Sequence, residues 1–193
     1  MDANPWKVLQ EDVLFSCRYF DVRQDLVSHN GLPPRPYHSI RVRQRGVCVL
    51  PVDRQGLVTL VGQYRYVLGR FTWELPAGGS PLGADPLAMA QQELKEECGY
   101  RGGKWLRLVG GDVWGGTADA HSSGYVAWDF EEGEPQPEPE ESLTLKKVPF
   151  KTAVDMGLKG EVTSLISVTS LLAAQVQAAR GLLPERLHKL LLR

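Results

Sequence analysis

The stretch Trp73–Tyr100, WELPAGGSPLGADPLAMAQQELKEECGY, decides how this chain is read, because it sets a glycine-rich turn directly ahead of an acidic helix. Asp85 suits the N-cap, Pro86 the first helical position and Gly99 the left-handed residue that ends a helix. Inside the helix Glu93, Glu96 and Glu97 stand at i, i+3 and i+4 and so share one narrow arc. Leu87, Ala90, Leu94 and Cys98 form the neighbouring apolar stripe. One face is predicted to pack and the adjacent edge to be anionic.

Carboxylates one turn apart repel and raise one another's pKa values unless a counter-charge offsets them. Three glutamates alone describe a solvated helix face more often than a site. The glycine turn in front reverses that balance and points to a divalent cation. All-oxygen ligands favour hard ions, so Mg²⁺ is expected, with Mn²⁺ as the substitute, and Mg²⁺ commonly arrives with substrate phosphates.

These residues resemble the Nudix hydrolases, whose pattern is G-x5-E-x7-R-E-U-x-E-E-x-G-U, with U a bulky apolar residue. Gly78, Glu93, Leu94, Glu96, Glu97, Gly99 and Tyr100 fall on it with the spacing intact. Two positions depart: Ala84 stands for the first Glu and Gln92 for the Arg. In the family those two are read as a structural pair bracing the loop against the helix, while the later glutamates bind metal. Their joint loss orphans no charge, so the departure reads as a changed brace with catalysis kept. A member that binds without cleaving is the alternative.

The segment WELPAG is similar to the branch holding the ADP-ribose pyrophosphatases and nucleoside-diphosphate-sugar hydrolases. Gln63-Tyr64-Arg65 stands where that branch has Q-x-R, and the order of elements from Trp6 to Ala174 is similar. Gly115-Gly116 replaces a proline of the branch, which leaves the sugar open. The resemblance implies that Arg65 contacts the pyrophosphate, that Glu74 touches a ribose or a second metal, and that the Ala77 carbonyl joins Glu93, Glu96 and Glu97 as a metal ligand. It also implies a general base from the loop EEGEPQPEPEES, residues 131–142, where Glu140 and Glu141 are the candidates. Composition alone makes that loop exposed.

Outward from this core, 193 residues of ordinary composition suit one domain with a small appendage. A net charge of −1 without a basic block excludes the electrostatic footprint of a duplex-binding protein. Cys17, Cys48 and Cys98 are too scattered for a disulfide framework or a zinc site, which suits a reducing cytoplasm. Cys98 reads as a packed thiol. No signal peptide or membrane span is legible; Val162 to Ala174 reads as a packed amphipathic helix and the basic C-terminal stretch after Pro184 as a terminal helix or dimer contact.

Gly46 to Val52 is a continuous apolar run, expected as a strand buried on both faces and paired with Leu57 to Gly62 at the centre of a mixed sheet. Lys104 to Gly110, Asp112 to Trp114, Gly124 to Asp129 and Leu143 to Val148 are the further strands. Phe150 to Gly157 and Glu161 to Arg180 are expected helices. Residues 1–45 read as an N-terminal β meander with a hairpin turn at His29-Asn30-Gly31, too small to bury a core alone. By resemblance this part is swapped across a homodimer. Trp6 is a candidate for stacking on a nucleobase, with interface or core packing as the plainer reading. Arg41, Arg43 and Arg45 alternate along one face, and Arg41 is a candidate phosphate contact or a solvated strand edge. The loop Gly115 to His121 is where the variable half of a substrate would lie.

The expected fold is an α/β/α sandwich on a mixed sheet, with residues 46–193 as the hydrolase domain. The expected reaction is Mg²⁺-dependent hydrolysis of ADP-ribose or a nucleoside diphosphate sugar to a nucleoside monophosphate and a sugar phosphate. A dinucleotide or a nucleoside triphosphate is the alternative substrate.

Overall fold

The structure, a computed structural model, describes residues 3–137 and 142–192. The chain runs β1 (Trp6–Ser16), β2 (Phe20–His29), β3 (Arg35–Val42), β4 (Gln44–Val52), β5 (Leu57–Arg65), β6 (Arg70–Glu74) and β7 (Ala77–Pro81) into α1 (Pro86–Cys98). It continues through β8 (Lys104–Asp112), β9 (His121–Trp128), β10 (Thr144–Pro149), α2 (Phe150–Leu158), α3 (Leu165–Ala179) and α4 (Glu185–Leu191).

β4 organises the main sheet. Its alternate residues leave on opposite faces, as a pleated strand requires. Val47 and Val49 pack with Ala90, Leu94 and Cys98 of α1, whereas Cys48, Leu50 and Val52 pack with Leu171 and Ala174 of α3 and with α2 and α4. A helix layer therefore covers each face, and the α/β/α sandwich expected from the sequence is the observed fold. Strand order is β10-β5-β4-β9-β8, and only the β4–β9 pair is parallel. Burying one such Leu or Val side chain contributes about 1.5–3 kcal/mol, so the doubly covered β4 anchors the fold.

The expected central pair is observed only at one end. β4 and β5 share the single register pair Val52↔Val58 and then splay apart. β6 fills the opening on the β5 side and β7 on the β4 side. The sequence reading missed both strands, and the Gly78-Gly79 turn it placed here is extended backbone paired with Gly46 and Val47. The turn proper lies further on, at Gly83, whose φ of +87° suits glycine.

The N-terminal residues form a separate three-stranded antiparallel sheet, β1-β2-β3, with strands longer than the short ones expected. Asn30 (φ 51°) and Gly31 (φ 74°) make the anticipated hairpin turn. β1 is exposed along nearly its whole length, including Val8, Leu9, Val13, Leu14 and Phe15. β3 passes into β4 through Arg43 alone, so the two sheets share one backbone path. The strand expected at Asp112 to Trp114 stops at Asp112, and α3 begins only at Leu165, after Val162 has bridged to Trp73 and Ser164 has taken the N-cap. No helix among the described residues is long and apolar enough to cross a membrane.

Candidate active site

α1 starts and stops where its end residues dictate. The Asp85 carboxylate accepts the Leu87 N–H at 3.1 Å, Pro86 occupies the first turn, and Gly99 closes the helix at φ 75°. Ala90, Leu94 and Cys98 are buried as the stripe requires, with Leu87 partly covered. Glu97 is buried with them, only 3% exposed, rather than standing on an anionic outer edge.

What holds Glu97 there is the backbone of β7. Its Oε2 accepts the Ala77 N–H at 3.0 Å. One turn back, Glu93 lies against Gly78 so closely that a Cβ at Gly78 would occupy the space of its carboxylate. Gly79 is packed in the same way by the Gln44 side chain. The glycines therefore serve close approach, not turning, and two carboxylates converge on the Ala77-Gly78 backbone. Glu96 points along the helix to Gln92, whose Nε2 donates to its Oε1 at 2.9 Å. Among the described residues no three His, Cys, Asp or Glu side chains are grouped closely enough to enclose a metal ion. A cation held by Glu93 and Glu97 would therefore need backbone carbonyl or substrate oxygens to fill its shell. That all-oxygen donor set fits Mg²⁺ or Mn²⁺.

Arg65 and Glu74 meet across the β5–β6 hairpin. Arg65 Nε donates to Glu74 Oε1 at 2.8 Å and Nη2 to Oε2 at 2.7 Å, and Thr72 Oγ1 donates to Oε1 at 2.8 Å. Burial alone would push the Glu74 carboxyl up, but the hydrogen bonds from Arg65 and Thr72 and the guanidinium charge together hold it below the usual carboxylate range. Cys48 lies within electrostatic reach of both Glu97 and Glu74, and burial first, with those charges, pushes its thiol up to about 12. Burial raises the Cys98 thiol as well. Neither is a nucleophile at neutral pH.

A second group of candidates gathers beside the N-terminal sheet. Trp6 and Arg41 line one cleft of about 440 Å³, together with Asp25, Tyr37 and the loop from Gly115 to Asp119. Trp6 meets Tyr37 edge-on at 5.5 Å and His29 at 4.4 Å. Arg41 Nη1 donates to Asp119 Oδ2 at 3.3 Å, and Asp119 Oδ1 takes the Val42 N–H at 2.8 Å. Tyr37 donates to the Gly116 carbonyl at 2.7 Å, and the Ile40 N–H to that of Thr117 at 2.8 Å. The neighbouring Arg43 is taken up by Asp21 and Ser16. His121 pairs with Asp112 at 2.8 Å.

The comparisons with known proteins bear on all of this. The NUDIX domain profile matches residues 42–164. The chain belongs to the Nudix family. It is 34% identical over 178 residues to an ADP-ribose pyrophosphatase of Mycobacterium tuberculosis, covering 90% of this chain and 84% of that one. It is 31% identical over 104 residues to an ADP-ribose pyrophosphatase of Bacillus subtilis, covering 53% of this chain and 55% of the relative. A solved structure described as an ADP compounds hydrolase superposes with a TM-score of 0.82 at 16% identity, over 95% of this chain and 100% of the other, which shows the fold. The Nudix assignment makes the chain a hydrolase acting on pyrophosphate bonds, of the ADP-ribose pyrophosphatase branch.

Within the Nudix pattern the two departures now have neighbours. Gln92, at the Arg position, hydrogen-bonds Glu96 instead of reaching back to residue 84. Ala84 closes the turn through its N–H to the Pro81 carbonyl at 3.1 Å. The loop after β9 is strapped to the end of α1, with Gln136 N–H on the Glu96 carbonyl at 2.7 Å and Gly133 packed on Gly99. Glu140 and Glu141, the expected general bases of this Nudix chain, lie outside the described residues. Sequence reasoning missed Tyr37, Thr72 and Asp119. Asp119 stands 78 residues from Arg41, and no local pattern announces that meeting.

Proposed function

We propose that this Nudix hydrolase cleaves the pyrophosphate bond of ADP-ribose or a related nucleoside diphosphate sugar, with Mg²⁺ or Mn²⁺, releasing a nucleoside monophosphate and a sugar phosphate. The observation that carries this reading is the convergence of Glu93 and Glu97 on the Ala77-Gly78 backbone. Glu93 and Glu97 would hold the cation with the Ala77 carbonyl, and Glu96, bonded to Gln92 in this structure, would have to turn from it to join them. When bound, the ion would supply charge neutralisation at the phosphate oxygens and lower the pKa of a water, so that a general base, for which Glu140 and Glu141 are the candidates, can take its proton as it attacks.

The chain's own side chains do the rest. The Arg65 guanidinium, 40% exposed at its side chain, stabilises charge on the second phosphate. Trp6 supplies an aromatic face for the base, and Arg41 a cation for the adjoining phosphate or ribose. The names of the relatives, ADP-ribose pyrophosphatases in two bacteria, favour ADP-ribose among the possible diphosphates.

The exposed apolar side chains of β1 support a homodimer through the N-terminal sheet, because a single chain leaves Val8, Leu9, Val13, Leu14 and Phe15 uncovered. Sedimentation would then give twice the chain mass, and aspartates at Leu9 and Leu14 would halve it. The three free cysteines suit a reducing cytoplasm.

Ala84 and Gln92 favour one rival, a protein that binds a nucleotide sugar without cleaving it. Both readings are decided by incubating the purified chain and Mg²⁺ with ADP-ribose, UDP- and GDP-sugars, a dinucleotide and nucleoside triphosphates. AMP and ribose 5-phosphate from ADP-ribose are expected. Tight binding with no product from any of them would establish the rival.

A further inference from the structure

The sequence reading gave Glu74 to a ribose or a second metal. Its surroundings give it other work. Both carboxylate oxygens are engaged, by two guanidinium hydrogens and one hydroxyl, and the carboxylate charge is matched by Arg65 at 2.7 Å. A carboxylate so occupied is a poor metal ligand, since binding a cation would mean competing with a bidentate ion pair.

The hairpin register shows what the pair is aimed at. Val61↔Glu74, Gln63↔Thr72 and Arg65↔Arg70 are directly opposed, and opposed residues share a face. Val61 packs with Leu94 and Ala90, so this is the face turned to α1. Gly62 and Trp73, on the opposite face, lean toward the α3 side, where Trp73 packs on the other core. Arg65 and Glu74 therefore stand on the α1 side of the sheet, the side from which Glu93 and Glu97 reach β7. Glu74 is 7% exposed and Thr72 is 2% exposed, while the Arg65 side chain is 40% exposed. The buried partner is fixed and the exposed one is steered.

We propose that Glu74 is a positioning residue: braced by Thr72, it grips Nε and Nη2 of Arg65 and fixes the plane in which the guanidinium meets the anionic diphosphate of the substrate. The proposal rests on the reading of Arg65 as a pyrophosphate contact. A guanidinium recognises phosphate through a planar fork, so its direction matters as much as its charge. Without Glu74 the charge remains and the direction is lost. Thr72 extends the same hold one step further into the core.

The test compares Arg65→Lys, Glu74→Gln and the double variant, with thermal unfolding to verify that each is folded. Glu74→Gln is expected to lower kcat/KM for ADP-ribose with Mg²⁺ by about ten- to a hundredfold, carried mainly by kcat. The double variant is expected to be no worse than Arg65→Lys, because the two changes remove one interaction. Additive losses, or a wild-type rate in Glu74→Gln, would overturn the proposal. Two further readouts do not depend on turnover. The Arg65 Nε–H should give a slowly exchanging, downfield nitrogen-correlated proton signal that vanishes in Glu74→Gln. Calorimetry should show Mg²⁺ affinity unchanged in that variant but weakened in Glu97→Gln, and a loss of Mg²⁺ affinity in Glu74→Gln would make it a ligand after all. Should the wild-type chain cleave nothing, the proposed function fails, and weaker ADP-ribose binding by Glu74→Gln alone, or its absence, still decides the positioning role.

Discussion

The joint between β7 and α1 and the cleft beside the N-terminal sheet both set polar side chains against a stretch of backbone, but they are built in opposite ways. At the joint, Glu97 is buried and its partner Ala77 lies 20 residues away along the chain. In the cleft, Arg41 and Asp119 are about half exposed and 78 residues apart. The first is a rigid, local device in a low-dielectric setting, where each contact is electrostatically strong. The second is a solvated assembly whose ion pair contributes at most about 1 kcal/mol. The proposed function asks for fixed geometry at the first and tolerates variation among substrates at the second.

The contrast breaks most severely with Glu97→Gln. Glutamine can still accept the Ala77 N–H, so the unfolding midpoint should stay close to wild type while kcat falls by about a hundred- to a thousandfold. An unchanged rate in a steady-state assay would remove Glu97 from the chemistry. Gly78→Ala comes next, because the added Cβ meets the Glu93 carboxylate. Overpacking of this kind costs about 1–3 kcal/mol of stability, and the displaced carboxylate should lower kcat/KM by about a hundredfold. Calorimetric unfolding and kinetics on the same preparation would separate the two effects.

The cleft should respond more mildly. Trp6→Ala is expected to raise KM about tenfold, the worth of one base–aromatic stack, and to leave kcat alone. A fall in kcat with unchanged KM would detach Trp6 from substrate binding. The smallest effect concerns acid. The Glu74 carboxyl is held below its ordinary value of 4.5 in the folded chain, so the unfolded chain takes up the proton first as pH falls. Its stabilising contribution is complete above that ordinary value and is lost as pH drops through the lowered folded value. Denaturant midpoints from pH 7 downward should therefore decline less steeply below about 4.5 in Glu74→Gln than in wild type.

The same contrast explains what the sequence disclosed. The ends of α1, its apolar stripe and the two-faced β4 were legible because caps and periodicity are local properties, as Asp85, Gly99 and the run Gly46 to Val52 illustrate. Gly78 and Gly79 were misread as a turn because glycine serves sharp bends and close contacts equally well, and only the Glu93 and Gln44 side chains tell the two apart. β6 was missed although Arg70 to Glu74, RFTWE, alternates polar and apolar residues, because five residues are too few to stand out and only the pairing with β5 defines the strand. Trp6 and Arg41 were singled out separately. That they line one cleft with Asp119 and Gly116 depends on β3 bridging to Ala118, a contact with no sequence signal. The hold of Glu74 on Arg65 was equally invisible, because the strand turn that joins them had not been recognised.

The single residue between β3 and β4 has one more consequence. Arg41 is tied to the 117–119 loop and Cys48 to Ala77, so the N-terminal cleft and the β7–α1 joint are fastened to one extended strand run, β3 into β4. At about 3.3 Å per residue that strand allows no more than roughly 23 Å between them. That run sets an upper bound on how far the cleft can stand from the joint, and one residue inserted at Arg43 would lengthen it.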